Sequence, residues 1–370
     1  MNDKKLMTLG IVAVIAIIAA IAVNQISKPS QSSNLVIGPL VGGLDVDQVA
    51  KIIVSGDNNK TKTSIVRSEG RFVVAEKDNY PASAKKVNEL VGRCLDIRTA
   101  ELQTEDAAFH KDLGVTGDTA ANSVTLLDAG EKPILEILVS RPAENSSAYV
   151  RLASENKVYL TLNAPYLSAA AMDYVDKNLL EVDTQKITEV TVTDPNGVTY
   201  VLKSADAGAT ITLDPMPAGK QFKATDYQTV FTALTNLAID DVTAAGKLAD
   251  FKPDWKYTCK LNDSTLYTLG LCKRDNKHYM AISAEFTDTT PVVKEQGQES
   301  PEQLKLKEAK LLARDAAVRF GKKTSGWVYV IPDSKASSFM KDRGSLIEDT
   351  AASVAAPAES ADAEKVEPAK

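Results

Sequence analysis

The sequence predicts an α+β protein: a single N-terminal transmembrane helix, then two tandem repeat lobes, each an antiparallel β-sheet with packed helices. Three observations carry this expectation. Leu6 to Val23 (LMTLGIVAVIAIIAAIAV) is an almost unbroken apolar run. The body beyond it alternates short strand patterns with helical ones. The order of those patterns recurs at a spacing of about 140 residues.

Residues 1–5 read as a cytoplasmic stub carrying Lys4 and Lys5, and residues 6–23 as the span. Eighteen helical residues rise about 27 Å, close to the roughly 30 Å hydrocarbon core of a bilayer. The run holds no charged residue. Lys4 and Lys5 determine topology, since the positive-inside rule keeps their end in the cytoplasm. The predicted location is the inner (cytoplasmic) membrane, with the body periplasmic or extracytoplasmic. The competing reading is a signal peptide cleaved after Ala22, at the small-x-small triplet Ala20-Ile21-Ala22. Residues 24–43 read as a polar, turn-rich linker.

The first lobe, residues 44–182, opens with a strand at Ala50–Val54, then TSIVRSE and RFVVAEK joined at Gly70. A helix is expected from about Ala82 to Leu95. Val87, Leu90, Val91 and Cys94 stand at i, i+3, i+4 and i+7, one face of a helix. Strands SVTLLDA, PILEILVS, AYVRLA and KVYLTL follow, and a second helix from about Pro165 to Leu179 closes the lobe. The second lobe, residues 183–348, begins with ITEVTVTD. The turn Pro195-Asn196-Gly197 leads into TYVLKS and TITLDP, Asn-Gly being a strong hairpin cue. A helix from about Thr225 to Ala238 repeats the apolar face with Val230, Ala233, Leu234 and Leu237. WKYTCKL, LYTLGLCKR, HYMAIS and GWVYVIP come next, then a short helix near Ser334–Lys341.

The copies part at one place. Ser154–Asn156 bridge the last two strands of the first lobe, whereas the second carries an insert of about 285–325. It holds a helix, Pro301 to Phe320, entered through Ser300, Pro301 and Glu302 and ended by Gly321. Leu304, Leu311 and Val318 make a thin apolar line at seven-residue spacing. Lys305, Lys307, Lys310, Arg314, Arg319, Lys322 and Lys323 outnumber Glu302, Glu308 and Asp315, a local charge of +4 in a chain of net charge −6. Lys305, Lys307, Lys310 and Arg314 are the candidate partner contacts, for an acidic partner or an anionic head-group layer. A solvated helix packing its leucine line on its own domain is the plainer reading. Residues 349–370, mostly Ala, Glu, Pro and Lys, form a tail expected to be disordered.

Composition bounds the function. With 44% apolar residues and three cysteines, the chain is neither disordered nor disulfide-dense. Its negative charge argues against nucleic-acid binding through phosphate neutralisation. Cys259 and Cys272 flank a hairpin; a two- or four-residue loop sets Cys259 against Thr268 and a five-residue loop against Leu269, so three reduced, mostly buried thiols are expected. Asn59, Asn145 and Asn262 begin N-x-S/T triplets, which matter only in a glycosylating pathway.

The body resembles the bacterial domain of unknown function 4340. Three stretches carry the likeness: Gly38-Pro39-Leu40 with LDVDQVAKIIVSG; RSEGRFVVAEKDNYPASAKKVNELVGRCLDIRTAEL; and GWVYVIPDSKASSFMKDRGSLIE. The resemblance implies an envelope protein of unassigned activity, encoded beside ABC-type transport systems related to gliding-motility exporters. It carries over no catalytic residues, and the charged insert departs from the family pattern.

No constellation reads as a catalytic, cofactor or metal site. His110 and His278 lack the close Cys or His partners of a zinc site and the G-x-S-x-G elbow of a Ser-His-Asp hydrolase. Asp45/Asp47, Asp173/Asp176 and Asp240/Asp241 are carboxylate pairs that read as caps or solvated groups. Neither a Walker sequence nor a dinucleotide fingerprint is present. Tyr149, Tyr159, Tyr257, Tyr267, Tyr279, Trp327 and Tyr329 fall on strands, where aromatics pack readily. The expected function is a non-enzymatic, membrane-anchored extracytoplasmic accessory or scaffold subunit of an ABC-type export or envelope-assembly complex. Its expected partners are the bilayer, through residues 6–23, and protein subunits. The alternative is an envelope module capturing a glycan, lipid or peptide in a groove between the lobes. A hydrolase with an unrecognised site is a third class.

Overall fold

Two-residue reversals pin the register of the strands. Glu69 and Gly70 take φ of 50° and 79°, and Asp275 and Asn276 take 46° and 58°. Positive φ at both central positions is the geometry that joins twisted antiparallel strands tightly. The computed structural model describes residues 35–206, 208, 210–223, 225–248, 251–293 and 299–350. The expected membrane span at 6–23, Lys4, Lys5 and most of the tail lie outside the described residues.

The chain divides after Asp176 into two compact units. The first holds β1 (Leu35–Pro39), β2 (Lys51–Gly56), β3 (Thr61–Ser68), β4 (Arg71–Val74), β5 (Tyr80–Pro81), α1 (Ala84–Leu95), β6 (Arg98–Thr104), β7 (Asn122–Leu127), β8 (Pro133–Val139), β9 (Ala148–Leu152) and β10 (Val158–Thr161). Its ten strands form one sheet in the order β1-β6-β10-β9-β8-β7-β2-β3-β4-β5. The second holds β11 (Asn178–Leu180), β12 (Ile187–Thr193), β13 (Thr199–Ser204), β14 (Ile211–Asp214), β15 (Lys220–Phe222), α2 (Asp226–Phe231), β16 (Leu237–Ala238), β17 (Asp241–Ala244), β18 (Trp255–Leu261), β19 (Thr265–Arg274), β20 (Lys277–Phe286), α3 (Pro301–Thr324), β21 (Trp327–Ile331), α4 (Asp333–Phe339) and β22 (Ile347–Asp349). Its main sheet runs β14-β13-β12-β18-β19-β20-β21-β17, with small two-stranded sheets β11-β16 and β15-β22.

The two main sheets share one plan. The run β6-β10-β9-β8-β7-β2-β3-β4 of the first unit corresponds, strand for strand and in chain order, to β17-β21-β20-β19-β18-β12-β13-β14 of the second. Each unit buries its own core. In the first, Ile52, Val54, Ile65, Val124, Leu126 and Ile137 are fully enclosed, and α1 buries Val87, Leu90 and Cys94. The opposite face is covered by the β6–β7 connection, where Val115 and Ala120 pack with Leu138 and Val158. In the second, Tyr257 meets Phe339 of α4 edge-on at 4.9 Å, and its hydroxyl donates to Val230 O of α2 at 3.0 Å.

The α+β expectation is overturned. The described residues are mostly β-sheet, with twenty-two strands against four α-helices. Among them no helix is long and apolar enough to cross a membrane. Helix was over-assigned in two places for a physical reason. The expected helix at Pro165–Leu179 is an irregular segment with one 3-10 turn at Ala171–Tyr174, followed by β11. There Ser168 ties itself locally, donating to Asp173 Oδ2 and accepting from Ala170 N, while Tyr174 Oη donates to Ser168 O. Such local bonds compete with helical ones. The expected helix at Thr225–Ala238 is helical only over Asp226–Phe231, then becomes a 3-10 turn and β16. Within the residues read as linker, β1 pairs with β6.

Candidate interaction surface

The second unit departs from the shared plan at the link between β20 and β21. The corresponding link in the first unit, between β9 and β10, is residues 153–157. The longer link carries α3, seated on the far end of the β19–β20 hairpin, whose strands have ten residues each against seven and five in β8 and β9. Its start is fixed by a capping box: Ser300 Oγ accepts from Gln303 N at 3.2 Å, and Gln303 Oε1 accepts from Ser300 N at 2.9 Å. Pro301 follows at the first helical position, where its missing N–H costs nothing.

The C-terminal half of α3 is its packing half. Ala317 and Thr324 are buried, and Phe320 meets Tyr267 edge-on at 5.4 Å. Gly321 lies so close to β20 that a Cβ there would sit 3.3 Å from Ala284 O. The helix does not stop at Gly321 as expected. It runs to Thr324, Ser325 N donates to Gly321 O, and Gly326, at φ 81°, makes the reversal.

The four candidate contacts divide into two kinds. Lys310 Nζ pairs with Asp288 Oδ2 at 2.6 Å and donates to Thr290 O at 2.6 Å. Hydrogen bonds from Lys310 and from Thr290 lower the Asp288 carboxyl to about 2. Lys307 Nζ pairs with Glu299 at 2.9 Å and donates to Val293 O at 2.8 Å. These two lysines therefore bind the segment before the helix onto it. Lys305 and Arg314 face outward, and Arg314 makes only a loose 3.6 Å contact with its neighbour Asp315. Around the helix Leu304, Leu306, Leu312 and Val318 are 53%, 72%, 58% and 50% exposed, while Leu311 is half-buried.

The other sequence candidates have structural occupations. His110 is buried, its Nε2 2.9 Å from Asn156 O, and His278 Nδ1 is 2.9 Å from Asp333 Oδ1. Asp45 caps a 3-10 turn by accepting from Asp47 N and from the Gln48 amide. Cys94, Cys259 and Cys272 are buried and free; Cys259 faces Tyr267 rather than Thr268 or Leu269, because the hairpin loop has three residues. Burial pushes the Cys94 and Cys259 thiols up to about 12. Tyr257 and Tyr329 are enclosed, and the other strand aromatics are half-buried. Among the described residues no three His, Cys, Asp or Glu side chains are grouped to hold a metal.

Three open hollows are each bordered by residues of one unit. One of about 360 Å³ in the first unit is bordered by Asp112, Arg141 and Tyr149, and one of about 240 Å³ by Asp96, Arg98 and Leu162. A hollow of about 350 Å³ on the second sheet is edged by Glu189, Lys203 and Lys260.

The model of the family described as Domain of unknown function (DUF4340) matches residues 73–255. That stretch is a DUF4340 domain. It begins within β4 and ends at the start of β18, so it crosses both units and stops short of α3. Comparison with curated proteins and with solved structures finds no match. The match agrees with the resemblance read from the sequence over residues 73–255; the stretches Gly38–Gly56 and Gly326–Glu348 lie outside it, and the family description assigns no activity.

Proposed function

We propose that this chain is a non-catalytic accessory or scaffold subunit, held at a membrane by its apolar N-terminal run and working on the extracytoplasmic side, within an ABC-type export or envelope-assembly complex. The observation that carries the reading is α3. It interrupts a sheet plan that the first unit completes without it, and it turns leucines, Lys305 and Arg314 outward. Exposed apolar residues rimmed by charge are a common feature of contact surfaces. The buried cysteines and the two histidines, bonded to a backbone carbonyl and to Asp333, favour contact over chemistry as the role. Placement beyond the membrane is supported by Lys4 and Lys5 ahead of the apolar run. The test is a crosslinked pull-down of the full chain from membranes, comparing wild type with Lys305→Glu/Arg314→Glu. Recovery of transport subunits by the wild type and their loss from the variant is the expected result. Equal recovery by both, or none by either, removes the reading.

A further inference from the structure

Leu304, Leu311 and Val318 stand seven residues apart and so form one line along α3. The two sides of that line differ in sign. Three positions beyond the leucines stand Lys307 and Arg314; four positions beyond stand Glu308 and Asp315. A helix advances about 100° per residue, so a step of three falls on one side of the line and a step of four on the other. One flank carries Arg314 and the Glu299-bound Lys307; the other carries Glu308 and Asp315, with Lys322 at its far end beyond Val318.

We propose that this face pairs with the same face of a second copy of the chain, the two helices running parallel about a two-fold axis. That symmetry lays Arg314 of each copy against Asp315 of the other, twice, and leaves Glu308 beside the Lys307 flank. Leu304 and Val318, both exposed, and the half-buried Leu311 then each meet their own counterpart. Antiparallel pairing sets like charges side by side. An anionic membrane surface or an acidic partner meets Glu308 and Asp315 beside the middle of the contact, so a second copy fits better. Arg314 and Asp315 are 54% and 57% exposed and share only a 3.6 Å contact, which leaves both able to turn to a partner. Lys307, 24% exposed, keeps its bond to Glu299, which matches its charge, so the charge pairing rests on Arg314 and Asp315. One helix per copy makes a small interface, so the association is weak and is best read by crosslinking.

The inference rests on the reading of α3 as the contact element. Its test uses the full chain in membranes, where the native thiols are buried. Under mild oxidation Leu304→Cys, Leu311→Cys and Val318→Cys should each form a disulfide-linked dimer. Leu306→Cys, 72% exposed but on the other side of the helix, should not. Arg314→Asp should slow crosslinking at Leu311→Cys about tenfold, and adding Asp315→Arg should restore it. Crosslinking confined to Leu311→Cys, equal crosslinking at Leu306→Cys, no crosslinking, or no rescue by the double exchange overturns the proposal. Binding to phosphatidylserine vesicles that Arg314→Asp weakens and Asp315→Arg strengthens, without dimers, overturns it in favour of lipid. The two readings fail separately. A dimer that recovers no transport subunit ends only the accessory role, and a monomer that recovers them through α3 ends only the second copy.

Discussion

Arg151 is a charged side chain buried to hold a loop. Its guanidinium donates to Val115 O at 2.9 Å and Glu155 O at 2.8 Å, and more weakly to Leu152 O and Ala153 O. Burial is the main influence lowering its pKa, offset by the carboxylate of Glu136. Arg151→Met leaves buried carbonyls without donors and should cost about 3 kcal/mol in urea unfolding. Gly270 answers to space instead: a Cβ there would stand 2.9 Å from Pro253 Cβ, so Gly270→Ala should destabilise by about 1–3 kcal/mol. Asp288 gives a pH dependence. Its folded pKa, about 2, lies below the ordinary 3.8. The contribution of its bond to Lys310 is therefore present above about pH 4 and is lost as pH falls through about 2. Amide exchange in α3 should rise across that window, and Asp288→Asn should flatten the rise.

Single elements show what was legible in the sequence. The meander strands were, because period-2 alternation and turn residues mark them: WKYTCKL is β18, and SVTLLDA and PILEILVS overlap β7 and β8, overrunning their ends by two residues and one. α1 was legible from its i, i+3, i+4, i+7 face. β6 and β17 were not, since Arg98–Thr104 and Asp241–Ala244 carry mixed, weakly apolar residues whose pairing is set by distant strands. α3 was readable at its start, where cap, proline and early acid agree. Its end was missed because Gly321 serves a close approach to β20 rather than a stop. The division of labour among its lysines was hidden too, since Asp288 and Glu299 come near only through the fold. Ser300→Ala should cost about 1 kcal/mol, read as faster exchange in the first turn. Replacing residues 287–325 by a short Gly/Ser linker removes the Ala317 and Phe320 packing and should cost about 3 kcal/mol. The second unit should still unfold cooperatively, because the first makes the same strand order with a five-residue link.

For the whole molecule, one eight-strand order appears twice in the chain, and DUF4340 crosses from one copy into the next. A plan used twice accounts for stability in both units; it says little about what distinguishes them. Within the shared strand order the largest departure is the interruption between β20 and β21, where exposed leucines and outward-facing Lys305 and Arg314 stand in a chain of net negative charge. If contact is the protein's work, removing that interruption should spare the fold and abolish the partnership. The most direct measurement compares crosslinked recovery from membranes by the full chain and by the same chain with residues 287–325 replaced, both checked for cooperative unfolding. The account predicts partner proteins with the first and none with the second. The same partners recovered by a folded chain lacking α3 would contradict it.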